Sequence, residues 1–80
     1  MGSQQDRPKP GTRVVLKSVP PEFLDGLPES DQRAIAAIVG KPVLLLEYDE
    51  MDRAELEFTD ESGDLHFIYV KPEFIRRAET

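Results

Sequence analysis

Val43-Leu-Leu-Leu-Glu-Tyr-Asp-Glu-Met-Asp-Arg-Ala-Glu-Leu-Glu-Phe-Thr-Asp-Glu-Ser-Gly-Asp-Leu-His-Phe-Ile-Tyr-Val-Lys-Pro-Glu-Phe-Ile-Arg-Arg77 decides how the chain folds. Three runs rich in Val, Leu, Ile, Phe and Tyr are separated by Asp49-Glu-Met-Asp52 and Asp60-Glu-Ser-Gly63. Branched and aromatic side chains pack on a pleated surface and turn residues reverse the chain, so the stretch predicts an antiparallel meander. Residues 43–48 are almost continuously apolar, as in a strand covered on both faces. Residues 53–59 alternate: Ala54, Leu56 and Phe58 share one face, and Arg53, Glu55, Glu57 and Thr59 share the wet one. Residues 60–63 read as a four-residue turn in which Gly63 can take the left-handed position. In residues 65–70, Leu65, Phe67 and Tyr69 oppose His66, Ile68 and Val70. Phe58, Phe67 and Phe74 are candidates to fill an interior with few other large side chains.

Outward from the meander, residues 1–10 are polar and Pro-punctuated, and ordering them would cost entropy without apolar burial, so they read as a disordered tail. Residues 11–78 read as one domain. A Pro10-Gly11 turn opens a strand at residues 12–17, which Pro20 and Pro21 stop because proline cannot donate to a ladder. Residues 21–25 read as one helical turn. A helix is predicted at about residues 30–39, started by Ser30 or Pro28, with Asp31 near its positive end and Gly40 and Pro42 beyond its stop. Ala34, Ile35, Ile38 and Val39 make its apolar face, while Asp31, Gln32 and Arg33 are expected to face water.

Eighty residues support one modest core, since a chain this short buries only about 60 % of the surface its unfolded form exposes. No cysteine is present, so neither disulfides nor thiolate metal sites support the fold, and a reducing compartment, the cytoplasm, is expected. No apolar run approaches the ~18 residues of a spanning helix. Ten Lys and Arg stand against 16 Asp and Glu, a net charge of −6, which argues against direct nucleic-acid binding and for a basic protein or peptide partner. The acid is concentrated: Glu47, Asp49, Glu50, Asp52, Glu55, Glu57, Asp60, Glu61 and Asp64 put nine carboxylates in 18 residues. They lack the alternating oxygen ligands of a calcium loop, so no metal or cofactor is assigned. Acids on turns and a wet strand offer no desolvated general acid, and His66 is the single histidine, so no catalytic set is assigned and the protein reads as a non-enzyme.

The order of strand, helix-bearing excursion, three-strand meander, Pro corner and final strand resembles the SH3-like barrel. Tyr69-Val70-Lys71-Pro72-Glu73-Phe74-Ile75 is similar to the end of an SH3 domain, where aromatic and aliphatic residues flank a Pro-containing helical turn. The resemblance implies a mostly β, SH3-like small barrel of about five strands with one inserted helix. It also implies that Tyr69 and Phe74 line a binding groove while Val70 and Ile75 enter the core. The chain departs from SH3 domains in having no tryptophan, and in carrying residues 21–40, much of them helical, where those have an acidic loop. Small stand-alone bacterial proteins of SH3-like fold are the nearer likeness. Some are antirepressors whose acidic face imitates DNA, and others are dihydrofolate reductases built from four small chains.

The expected function is therefore protein binding by a monomer. Tyr48, Tyr69 and Phe74, bordered by Asp49, Glu55 and Glu57, are the candidate residues for holding a basic or extended segment. The alternatives are a DNA-mimicking regulator of a DNA-binding protein and, more remotely, a small oligomeric enzyme whose pore repeats one strand.

Overall fold

The computed structural model describes residues 7–78. Its two acidic reversals share one construction. Asp49 Oδ1 accepts the N–H groups of Met51 and Arg53 at 2.9 and 2.8 Å, and Asp60 Oδ1 accepts those of Ser62 and Asp64, both at 2.9 Å. Such a carboxylate replaces backbone partners within a turn. The fourth residue of each loop is left-handed, Asp52 at φ +64° and Gly63 at φ +90°. Asp49 N–H donates to Arg53 O and Asp60 N–H to Asp64 O. Each loop therefore runs through five residues, one more than the expected four.

These turns join β2 (Pro42–Tyr48), β3 (Ala54–Thr59) and β4 (Leu65–Val70). β1 (Arg13–Leu16) precedes them, and β5 (Ile75–Arg77) follows a 3-10 turn at Pro72–Phe74. All five strands belong to one antiparallel sheet in the order β4-β3-β2-β1-β5. Between β1 and β2 lie a short helical turn, α1 (Pro21–Leu24), and the helix α2 (Glu29–Ile38). The mostly β class with one inserted helix is thus as expected.

Inward-facing Val14, Leu16, Val43, Leu45, Ala54, Leu56, Phe58, Ile68, Val70 and Ile75 form the core with Ala34 and Ile35 of α2. The helix covers the sheet through that short apolar stripe. Gly40, at φ +87°, ends it in a conformation that side chains avoid. Arg33 is exposed as expected, but Asp31 and Gln32 are half-buried. Gln32 Nε2 donates to Leu27 O at 2.9 Å, and Asp31 Oδ1 lies 3.8 Å from His66 Nδ1.

β2 is less covered than its apolar run suggests, since Leu44 and Leu46 remain half-exposed and Glu47 lies in solvent. A bulge between Leu45 and Glu47 reconciles its register with the five-residue loop.

Of the expected tail, residues 1–6 lie outside the described residues. The rest makes contacts: Tyr48 Oη donates to Pro8 O at 2.7 Å, Gly11 N–H to Leu45 O at 2.7 Å, and Pro8 is buried.

Candidate functional site

The register of β3 and β4 places Ala54 opposite Val70, Leu56 opposite Ile68 and Phe58 opposite His66. Since the β3 members are core, the whole even-numbered side of β4 turns inward with them. His66 pays for its place with two carboxylates. A carboxylate can only accept, so His66 Nε2–H donates to Asp60 Oδ2 at 2.9 Å, while the ring stacks on Phe58 with centroids 5.1 Å apart. That hydrogen bond, with the turn N–H groups, holds the Asp60 carboxyl below its usual pKa.

The odd-numbered side of β4 is left outside. Leu65 is 53 % exposed, Phe67 51 % and Tyr69 41 %; among the described residues, Met51 is the remaining large hydrophobic side chain in solvent. Phe67 and Leu65 thus do not fill the interior. Across from this row on β3 stand Thr59, Glu57 and Glu55, and Glu47 of β2 faces Glu55 in turn. The outcome is an apolar ridge on the outermost strand, walled on its sheet side by carboxylates.

Tyr69 joins the two parts. Its phenol pKa is pushed up, first by the neighbouring Glu55 carboxylate and then, less, by desolvation and the negative field of Asp49 and Glu47. The Arg53 guanidinium lies 5.3 Å from its ring centroid, and Arg53 is held by Asp49 through Nε and Nη2, each at 2.8 Å. The hydrogen bonds from Arg53 lead the causes that hold the Asp49 carboxyl below its usual pKa. Arg53 thus places a cation near the face of the Tyr69 ring, with acids around it.

The six candidate residues are separated by the fold. Tyr69, Glu55 and Glu57 share the outward face, and Asp49 opens the adjoining turn. Tyr48 and Phe74 are half-buried and pack against the core. Tyr48 is also covered from outside: the Arg7 guanidinium sits 3.9 Å from its ring centroid and pairs with Asp52 at 3.0 Å. Sequence reasoning missed Phe67 and Leu65 as surface residues. The signal for them is loop parity, since a five-residue loop and a four-residue loop present opposite faces of the returning strand.

Elsewhere, a cleft of about 410 Å³ lies between α2 and the β3–β4 turn, lined by Arg33, Lys41, Asp60 and Glu61 among others. Its mixed charges favour no single ligand class. Among the described residues, no group of three or more His, Cys, Asp or Glu side chains could hold a metal ion. No helix among them is long and apolar enough to cross a membrane. No protein-family model, curated protein or solved structure matches the chain.

Proposed function

We propose that this protein is an SH3-like small barrel that works as a non-enzymatic interaction module, as a monomer in the cytoplasm, holding a basic, extended segment of another protein. The observation that carries the reading is the exposed row Leu65, Phe67 and Tyr69 set directly against Glu57 and Glu55. Large apolar side chains concentrated on one strand mark interaction surfaces more often than scattered ones do. The neighbouring acids select the partner's charge, since burying a cation beside them is favourable and burying an anion is not. Support for the SH3-like assignment comes from the strand order and the 3-10 turn before β5.

The DNA-mimicking alternative draws on a different feature, the like-charged pair Glu47 and Glu55 directly opposite one another on neighbouring strands. Two substitutions separate the readings. Binding through the ridge is lost in Tyr69→Ala and reduced in Glu55→Lys, and it survives moderate salt. Mimicry is lost in Glu55→Lys, persists in Tyr69→Ala, and falls steeply with ionic strength. Calorimetric titration of a lysine-rich extended peptide into each variant at two salt concentrations is the test; unchanged binding in Tyr69→Ala refutes the proposal.

A further inference from the structure

We infer that the partner segment binds by adding an antiparallel strand to the open edge of β4; this rests on the docking reading above and specifies its geometry. β4 ends the sheet among the described residues, with β3 as its one strand neighbour. Among the described residues, no backbone hydrogen bond from a loop reaches residues 65–70. Hydrogen bonding alternates along an antiparallel pair, so one closing bond fixes the pattern. Asp60 N–H donates to Asp64 O, which makes 60/64 a bonded pair and, in steps of two, 58/66, 56/68 and 54/70 as well. The backbone groups of His66, Ile68 and Val70 therefore point to β3. Those of Leu65, Phe67 and Tyr69 point to the open edge.

The residues whose backbone donors and acceptors point to the open edge are thus the ones whose side chains form the exposed apolar ridge. A strand added here antiparallel exchanges backbone bonds at residues whose own side chains rise beside Leu65, Phe67 and Tyr69. Neighbouring strands are about 4.8 Å apart, so lysine or arginine stems at those positions lie over the ridge and their charged ends reach Glu55 and Glu57. Arg53 already lies over Tyr69 in this way. Charge decides between occupants: a second copy carries its own net −6 and sets a second Glu55 and Glu57 beside the same ridge, whereas an alternating basic strand neutralises these acids.

The test uses the full chain and three short synthetic peptides of alternating Lys and Val: unmodified, N-methylated at the Lys amides, and N-methylated at the Val amides. Antiparallel addition directs the Lys amides to β4 and the Val amides to solvent. The expected result is binding of the unmodified and Val-methylated peptides with similar affinity, and loss of about tenfold or more for the Lys-methylated one, as several backbone bonds disappear together. Amide exchange slowed by the peptide at Leu65, Phe67 and Tyr69 but not at His66 or Ile68 is the accompanying readout. Equal binding of all three, still weakened by Glu55→Lys, overturns strand addition and leaves the docking face standing. Binding of none overturns both. Concentration-dependent protection of the same amides without peptide assigns the edge to a second copy and overturns the basic partner.

Discussion

Phe58→Ala and Phe67→Ala make the most direct test of which way β4 faces, because the two residues are chemically identical and stand on neighbouring strands with opposite environments. Phe58 is 6 % exposed, belongs to the core cluster and stacks on His66. Truncating it removes buried area and opens a cavity, at a cost of about 3–5 kcal/mol. Phe67 is 51 % exposed. Complete burial of such a side chain is worth about 1.5–3 kcal/mol and roughly half of it is realised here, with no cavity left behind, so Phe67→Ala costs about 1 kcal/mol. For a chain of this length total stability is about 4–12 kcal/mol, so the first change removes a large part of it and the second little. Urea unfolding followed by circular dichroism reads both: the midpoint of Phe58→Ala falls far below that of Phe67→Ala at similar slope. Binding of the lysine-rich peptide should show the opposite ranking. Equal destabilisation by the two substitutions would mean that β4 is turned over, and the docking surface would go with it.

Three further outcomes follow from the turns and from Tyr69. Gly63→Ala costs about 1 kcal/mol, read as a lower urea midpoint, because φ is +90° there and any side chain is strained although nothing obstructs the new methyl. The Asp49 and Asp60 carboxyls are held below their usual pKa by the N–H and side-chain donors around them, so their stabilisation is present above the unfolded value of about 3.9 and fades as pH falls through the folded one. Replacing both by Asn keeps an acceptor in each turn and should flatten the loss of stability below pH ~4 in acid titration. Tyr69 has the reverse sign: its contribution is whole below the unfolded tyrosine value of about 10 and is lost as pH rises through the higher folded one. Glu55→Gln should bring the Tyr69 phenol back down in an ultraviolet titration of the tyrosines.

The strands and the helix were legible because their signals are local. Pro20 and Pro21, the alternation of residues 54–59 and the Gly40 stop each act within a few residues, and β3, β4 and α2 fall within one residue of where the pattern places them. The likeness of residues 69–75 to the end of an SH3 domain put Val70 inside and Tyr69 outside, as found. But the face of β4 could not be read from the apolar pattern of the strand itself, because it depends on counting the turn. A four-residue loop pairs Thr59 with Asp64 and so sets Leu65 opposite Phe58, which sends Leu65, Phe67 and Tyr69 inward. Asp64 is instead a fifth loop residue, Thr59 pairs with Leu65, and every side chain of β4 changes face. The first hairpin has the same extra loop residue, but the bulge at Leu46 absorbs it and Leu45 still meets Leu56 in the core. Apolar content favoured the wrong answer, since Leu, Phe and Tyr outweigh His, Ile and Val as core formers. The clue available was the parallel wording of the loops, Asp-Glu followed by three residues in each. Among the candidate residues, Tyr48 was misplaced for a related reason, as its covering comes from Arg7, 41 positions away in a segment without periodicity.

A surface kept for binding should sacrifice stability, and Glu47 allows that to be measured. It faces Glu55 across β2 and β3 in solvent, where directly opposed like charges are destabilising and opposed unlike charges are worth about 0.2–1 kcal/mol. Glu47→Lys exchanges repulsion for attraction and should raise the urea midpoint by roughly 0.5–1 kcal/mol at low salt, with the gain shrinking as salt is added. The same lysine neutralises Glu55 and adds a positive charge two strands from Tyr69 on the same face, so affinity for a basic peptide should fall while the fold becomes stronger. A sheet selected only for solubility would gain stability from this change and lose nothing. Opposite movement of stability and affinity in one variant is what distinguishes a docking face from a solvated one, and a Glu47→Lys chain that is more stable and binds the peptide unchanged would place the partner elsewhere.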